Sequence, residues 1–85
     1  MKYIIKAFKH SRKNLKNIKS PNYYAGTNQE GKEIWTTEIN NAVPLKSESV
    51  MEGIIRNARN NYKIVYKLNY DSDLIQNLIK QSKSN

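Results

Sequence analysis

Tyr62-Lys63-Ile64-Val65-Tyr66-Lys67-Leu68-Asn69-Tyr70 decides how this chain is read. Tyr62, Ile64, Tyr66, Leu68 and Tyr70 alternate with Lys63, Val65, Lys67 and Asn69. A period of two is the signature of a strand, because successive side chains point to opposite faces of a sheet. One face of this strand is apolar and aromatic, the other partly basic.

Both flanks read as helices. Upstream, Ser49 and Glu52 have the spacing of a capping box. Val50, Met51, Ile54, Ile55 and Ala58 then recur at helical spacing, with Arg56, Asn57 and Arg59 facing outward. Asn60-Asn61 supplies a stop through a left-handed residue. Downstream, Asp71-Ser72-Asp73 supplies a helix start, and Leu74, Ile75, Leu78 and Ile79 form an apolar stripe. Residues 81–85 read as a frayed tail.

Further upstream, Asn22–Gly26 and Glu33–Ile39 read as two strands of a hairpin around turn residues that include Gly31. Residues 2–9 read as another strand. Tyr3, Ile5 and Ala7 share one side, and Ile4 and Phe8 the other, so a central place in the sheet is expected. Residues 10–20 are polar and basic and read as a short helix or a loop, ended by Pro21. The sum is an α+β domain spanning residues 1–85. It has a small antiparallel or mixed sheet of about four strands, with one or two helices packed on it and one face covered by helix.

The chain has 85 residues and a formal net charge of +8. That length suits one domain with a small core. No cysteine is present, which excludes disulfides and thiolate metal ligands and fits a reducing compartment. The start, Met1-Lys2-Tyr3-Ile4-Ile5-Lys6, has no apolar run of signal-peptide length, and no stretch is long enough to span a bilayer. A soluble cytoplasmic protein without membrane association is the expectation.

Charge is unevenly distributed. Residues 1–20 carry +7, residues 21–54 carry −3 and residues 55–85 carry +4. Such a field favours an anionic partner, whether nucleic acid or an acidic protein surface. Lys9, Arg12, Lys13, Lys16 and Lys19 form one basic set, and Arg56, Arg59, Lys63 and Lys67 a second. Both suit phosphate contacts, which set affinity rather than base choice.

Little points to catalysis. His10 is the only histidine and lies in a basic stretch. Asp71 with Asp73, and Glu48 with Glu52, suit helix N-termini better than metal or acid–base pairs. No glycine-rich phosphate loop occurs. A non-enzymatic protein without metal or cofactor is expected.

The aromatic residues interleave with basic ones, as a base-stacking platform beside a phosphate groove requires. The competing reading is packing, with Trp35 and Phe8 filling the core and the tyrosines of 62–70 lying on the helix near 50–60. Tyr23 and Tyr24 are adjacent in a strand, so at least one is expected to be exposed and available for recognition.

Tyr23-Tyr24-Ala25-Gly26, Gly31, Trp35-Thr36, Ile39 and Ala42, followed by Ser47 or Ser49 and a short helix, resemble a layout common among small uncharacterised proteins of phages and mobile elements. The likeness covers roughly residues 1–69 and maps no functional residue. Some proteins of this kind are similar to anti-CRISPR inhibitors, which block a nuclease by occupying its nucleic-acid channel or holding its domains. The resemblance implies an inhibitor that binds a host protein or ribonucleoprotein such as a CRISPR effector. The alternative from charge and aromatics is direct binding of DNA or RNA. The sequence also allows a homodimer through an exposed edge strand.

Overall fold

The computed structural model describes residues 1–9 and 21–83. Strand β1 (Tyr3–Phe8) leads to β2 (Asn22–Thr27), β3 (Glu33–Thr36), a 3-10 turn (Ile39–Asn41), helix α1 (Glu48–Ala58), β4 (Ile64–Asn69) and helix α2 (Asp73–Lys83). The sheet order is β3-β2-β1-β4. Every neighbouring pair is antiparallel. The fold is therefore α+β.

β1 is central, as its two-sided apolar pattern requires. Ile4 and Ile5 are both fully buried although they point to opposite faces. Ile4 joins Tyr23, Ile75 and Ile79 in one cluster; Ile5 joins Tyr24, Met51 and Ile54 in another. Helix α2 thus covers one face of the sheet and α1 the other, which corrects the expectation of a single covered face. The adjacent tyrosines go one to each face, and both are 6% exposed. The expectation that one of them is exposed fails for this reason: a two-sided sheet buries both rows.

β4 pairs with β1 in continuous register, from Tyr3 opposite Asn69 to Phe8 opposite Ile64. Its aromatic row faces α2 rather than α1, because Leu68 and Tyr70 pack on the cluster around Ile75 and Ile79. The expected packing of that row on the 50–60 helix is corrected accordingly. Tyr62 leaves the row altogether and stacks against Trp35, a residue of the α1-side cluster.

The α1 N-cap is Ser47, whose Oγ accepts from the Val50 amide at 3.3 Å. Ser49 instead shares a 3.1 Å hydrogen bond with that hydroxyl, so the capping box at Ser49 and Glu52 does not form. Starting at Glu48 places Met51, Ile54 and Ala58 against the sheet and leaves Val50 49% exposed. Among the described residues no non-glycine residue has a positive φ. The helix therefore closes by turns, with Asn61 and Tyr62 amides donating to the Ala58 carbonyl, rather than through a left-handed asparagine.

Ser72 caps α2 by accepting from the Ile75 amide at 3.2 Å, and Asp73 occupies the first turn, where the helix dipole favours an acid. Ile75 and Ile79 are buried, but Leu74 and Leu78 are 70% and 40% exposed, so half of the expected stripe faces outward. Residues 81–83 are helical, not frayed, and Ser82 donates to the Asn40 side chain at 3.1 Å. The rest of the expected tail, 84–85, lies outside the described residues.

The β2–β3 hairpin departs from a flat ladder. β2 pairs with β1 only through Asn22 and Tyr23. Beyond Tyr24 the connector takes over: the Val43 amide donates to the Tyr24 carbonyl, and Leu45 bridges to Tyr3. A register shift between Tyr24 and Thr27 accompanies this, with Gly26 at φ +102°. Only glycine adopts such an angle readily, and bulges increase strand bending. The hairpin tip is held by Asn28, whose Oδ1 accepts from the Glu30 and Lys32 amides at 2.9 and 3.0 Å. β3 ends at Thr36, whose hydroxyl accepts from the Glu38 amide at 3.1 Å. The expected extension to Ile39 is absent; that side chain turns to the α2-side cluster.

Candidate functional site

The hairpin, the C-terminal end of α1 and the segment before β4 border an open groove of about 860 Å³. That size lies in the range of about 300–1,000 Å³ usual for small-molecule sites. Its wall is aromatic. The Trp35 and Tyr62 ring centroids are 5.0 Å apart, tilted by 48°, and Tyr24 meets the indole edge-on at 5.9 Å. Trp35 and Tyr62 are half-buried, so ring surface remains available in the groove.

Polar groups complete the lining. Glu33 comes from β3, Asn57 from the last turns of α1, and Asn60 and Asn61 from the turns that close it. Lys9 and Lys32 line it as exposed cations, from the end of β1 and the hairpin tip. Burial pushes the Glu33 carboxyl above the ordinary glutamate range, and a hydrogen bond from the Asn57 side chain opposes that rise. Burial also raises the Tyr62 and Tyr24 hydroxyls, and the nearby Glu33 charge adds to the effect.

On another flank of α1, Arg56 and Arg59 line a shallow recess with Glu52 and Ile55. Ile55 packs in the cluster that contains Val65 of β4. Lys67 shares the α1 side of the sheet with Val65, since two residues separate them, and its ammonium lies 5.3 Å from the centre of the Tyr3 ring. Lys63 is exposed, and its amide extends the ladder by donating to the Phe8 carbonyl. Lysines on an outer strand also discourage pairing with another sheet edge, a role that needs no ligand.

The fold thus brings Arg56 and Arg59 together and separates Lys9 from them into the groove. Arg12, Lys13, Lys16 and Lys19, like His10, lie outside the described residues. Tyr23 and Tyr24 serve the core. Trp35 packs, half-buried, against the α1-side core cluster as expected, whereas Phe8 belongs to neither cluster; the fully buried large side chains are Ile4, Ile5 and Met51. Phe8 is half-buried and stacks on Tyr66 at 6.3 Å with the Lys6 ammonium 5.3 Å from its ring centre, a second aromatic and basic surface on the α2 side.

Glu33, Lys32, Asn57, Asn60 and Asn61 were not legible as site residues. The three asparagines signal only a helix end when read in line, and Glu33 only a strand start. Among the described residues no group of three His, Asp or Glu side chains is placed to hold a metal ion. Nor is any helix among them long and apolar enough to cross a membrane. Comparison with known proteins adds no name to this site: no family model, curated protein or solved structure matches the chain.

Proposed function

We propose that this protein binds single-stranded nucleic acid directly, with the groove between the hairpin and α1 as the main contact. The observation that carries the reading is an aromatic wall, Trp35 with Tyr62, in a groove that lysines from two separate elements also line. Stacking on aromatic rings is worth about 1–3 kcal/mol per base and tolerates any base, while lysines at the rim meet the phosphates. Arg56 and Arg59 add a second cationic recess on another flank of the same helix. The net charge of +8 supplies long-range attraction.

Fluorescence anisotropy with labelled single-stranded and duplex oligonucleotides, at about 50 and about 200 mM salt, tests this. Single strands bind more tightly than duplex, and affinity falls steeply with salt. Lys9→Glu combined with Lys32→Glu weakens binding and flattens the salt slope. Equal affinity for nucleic acid and an unrelated acidic polymer sinks the reading.

A second reading has its own observation. Leu74 and Leu78 are exposed four residues apart on α2. Such a pair suits a protein partner, in keeping with an inhibitor that holds a host nuclease of the CRISPR type. Inhibition of a purified CRISPR nuclease that Leu74→Asp with Leu78→Asp relieves, and Lys9→Glu with Lys32→Glu does not, replaces the first reading with this one.

A further inference from the structure

A carboxylate is out of place in a groove built only for phosphates. Glu33 lies in the same groove as Lys9 and Lys32, and the two lysines come from the exposed end of β1 and the hairpin tip. A phosphate is attracted to the ammonium groups and repelled by Glu33. The carboxylate therefore faces a part of the ligand that donates hydrogen bonds.

The nucleobases differ in what they offer a carboxylate. Guanine presents two adjacent N–H donors on its Watson–Crick edge, the ring N1–H and the exocyclic amine, and two carboxylate oxygens accept both. Adenine and cytosine each place a ring nitrogen lone pair beside a single amine. Uracil and thymine flank one N–H with two carbonyls. With each of these four bases an acceptor faces an acceptor, which is repulsive. We propose that the groove is a guanine site: the base stacks on Trp35 and Tyr62, its N1–H and amine donate to Glu33, and its phosphate meets Lys9 or Lys32.

This deepens the nucleic-acid reading and rests on it. The surrounding residues fit the assignment. Asn57 holds the carboxylate, and the side-chain carboxamides of Asn60 and Asn61, whose backbone amides are already engaged in the turns that close α1, offer donors for the guanine carbonyl and N7. Burial leaves Glu33 short of solvent, so partners with donors are favoured there. An arginine side chain has the same donor pair and stacks on aromatic rings, but it carries a positive charge into a groove flanked by Lys9 and Lys32.

The chain has one tryptophan, Trp35, and it lines the groove, so its fluorescence reports occupancy. GMP, AMP, CMP, UMP, inorganic phosphate and N-acetylarginine amide are each titrated into the full chain. GMP is expected to quench at concentrations roughly tenfold below those needed for the other nucleotides. Glu33→Gln, with folding verified by circular dichroism, reduces that preference to about threefold or less while leaving some quenching by all bases. Equal quenching by the four nucleotides, quenching by phosphate alone, or stronger quenching by the arginine amide overturns the assignment. A labelled oligothymidine and the same strand with one central guanine separate the two levels of the argument. Equal affinity for both, with strong salt dependence, removes the guanine site and keeps nucleic-acid binding. No binding to either removes both.

Discussion

The rings of Trp35 and Tyr62 meet at 5.0 Å although one belongs to β3 and the other to the segment leading into β4. The contact ties the bent hairpin to the far end of the sheet, past a strand order that puts β3 and β4 at opposite edges. Tyr62→Ala is expected to destabilise the protein by about 2 kcal/mol, below the cost of a fully buried aromatic, because the ring is half-buried. The Trp35 emission shifts to longer wavelength as the indole gains water. Tyr62→Phe keeps the ring contact and changes both quantities little. Urea unfolding and emission spectra measure them, and an unshifted spectrum in Tyr62→Ala contradicts the contact.

Two glycines answer oppositely to alanine. Gly26 has φ +102° within the register shift between Tyr24 and Thr27, so Gly26→Ala is strained and costs about 1–2 kcal/mol. Gly53 lies within α1, has no positive φ, and has nothing within 4 Å of an added Cβ. Gly53→Ala is expected to stabilise by about 1 kcal/mol, from helix propensity alone. Thermal melts of the two variants move in opposite directions; shifts of the same sign refute this account of the hairpin bend.

The serines before α1 are also distinguishable. Ser47 caps the helix through the Val50 amide, whereas Ser49 reaches only the Ser47 hydroxyl. Ser47→Ala loses about 1 kcal/mol, and Ser49→Ala markedly less. Chemical denaturation of both variants decides the point, and the reverse order restores Ser49 as the cap.

Glu33 has a pH signature. Its native pKa is raised, first by burial, so the folded state favours the protonated acid. The stability this contributes is complete below the unfolded value and is lost as pH rises through the native one. Wild type minus Glu33→Gln stability therefore falls as pH rises above the ordinary glutamate value of about 4.3. The change is under about 1 kcal/mol, since solvent still screens the group. Stability curves of both proteins at several pH values give the difference, and a rise with pH means that Glu33 is stabilised as an anion.

Much of this fold is legible along the chain because its cause is local. Period-two alternation over residues 2–9 and 62–70 marks the strands that form at Tyr3–Phe8 and Ile64–Asn69, and apolar residues on both sides of the first place it inside the sheet. Helical spacing marks Met51, Ile54 and Ala58, and Ser72 with Asp73 opens the last helix. Where several local signals compete, the reading slips by two or three residues. Ser47 and Ser49 both suit a cap, and the choice falls to the helix phase that buries Met51.

Sequence alone determined the alternating strands, the amphipathic helices and the excess of positive charge, since each is written in the spacing or count of neighbouring residues. Tertiary structure alone decided that the helices lie on opposite faces, that Tyr23 and Tyr24 are both buried, and that Lys9, Lys32, Glu33, Trp35, Asn57 and Tyr62 line one groove. Those residues are scattered along the chain and meet only because β2 leaves β1 after Tyr23 and the hairpin lies beside the end of α1. A backbone bend of this kind depends on contacts between distant segments, Val43 with Tyr24 and Leu45 with Tyr3, which no local pattern encodes.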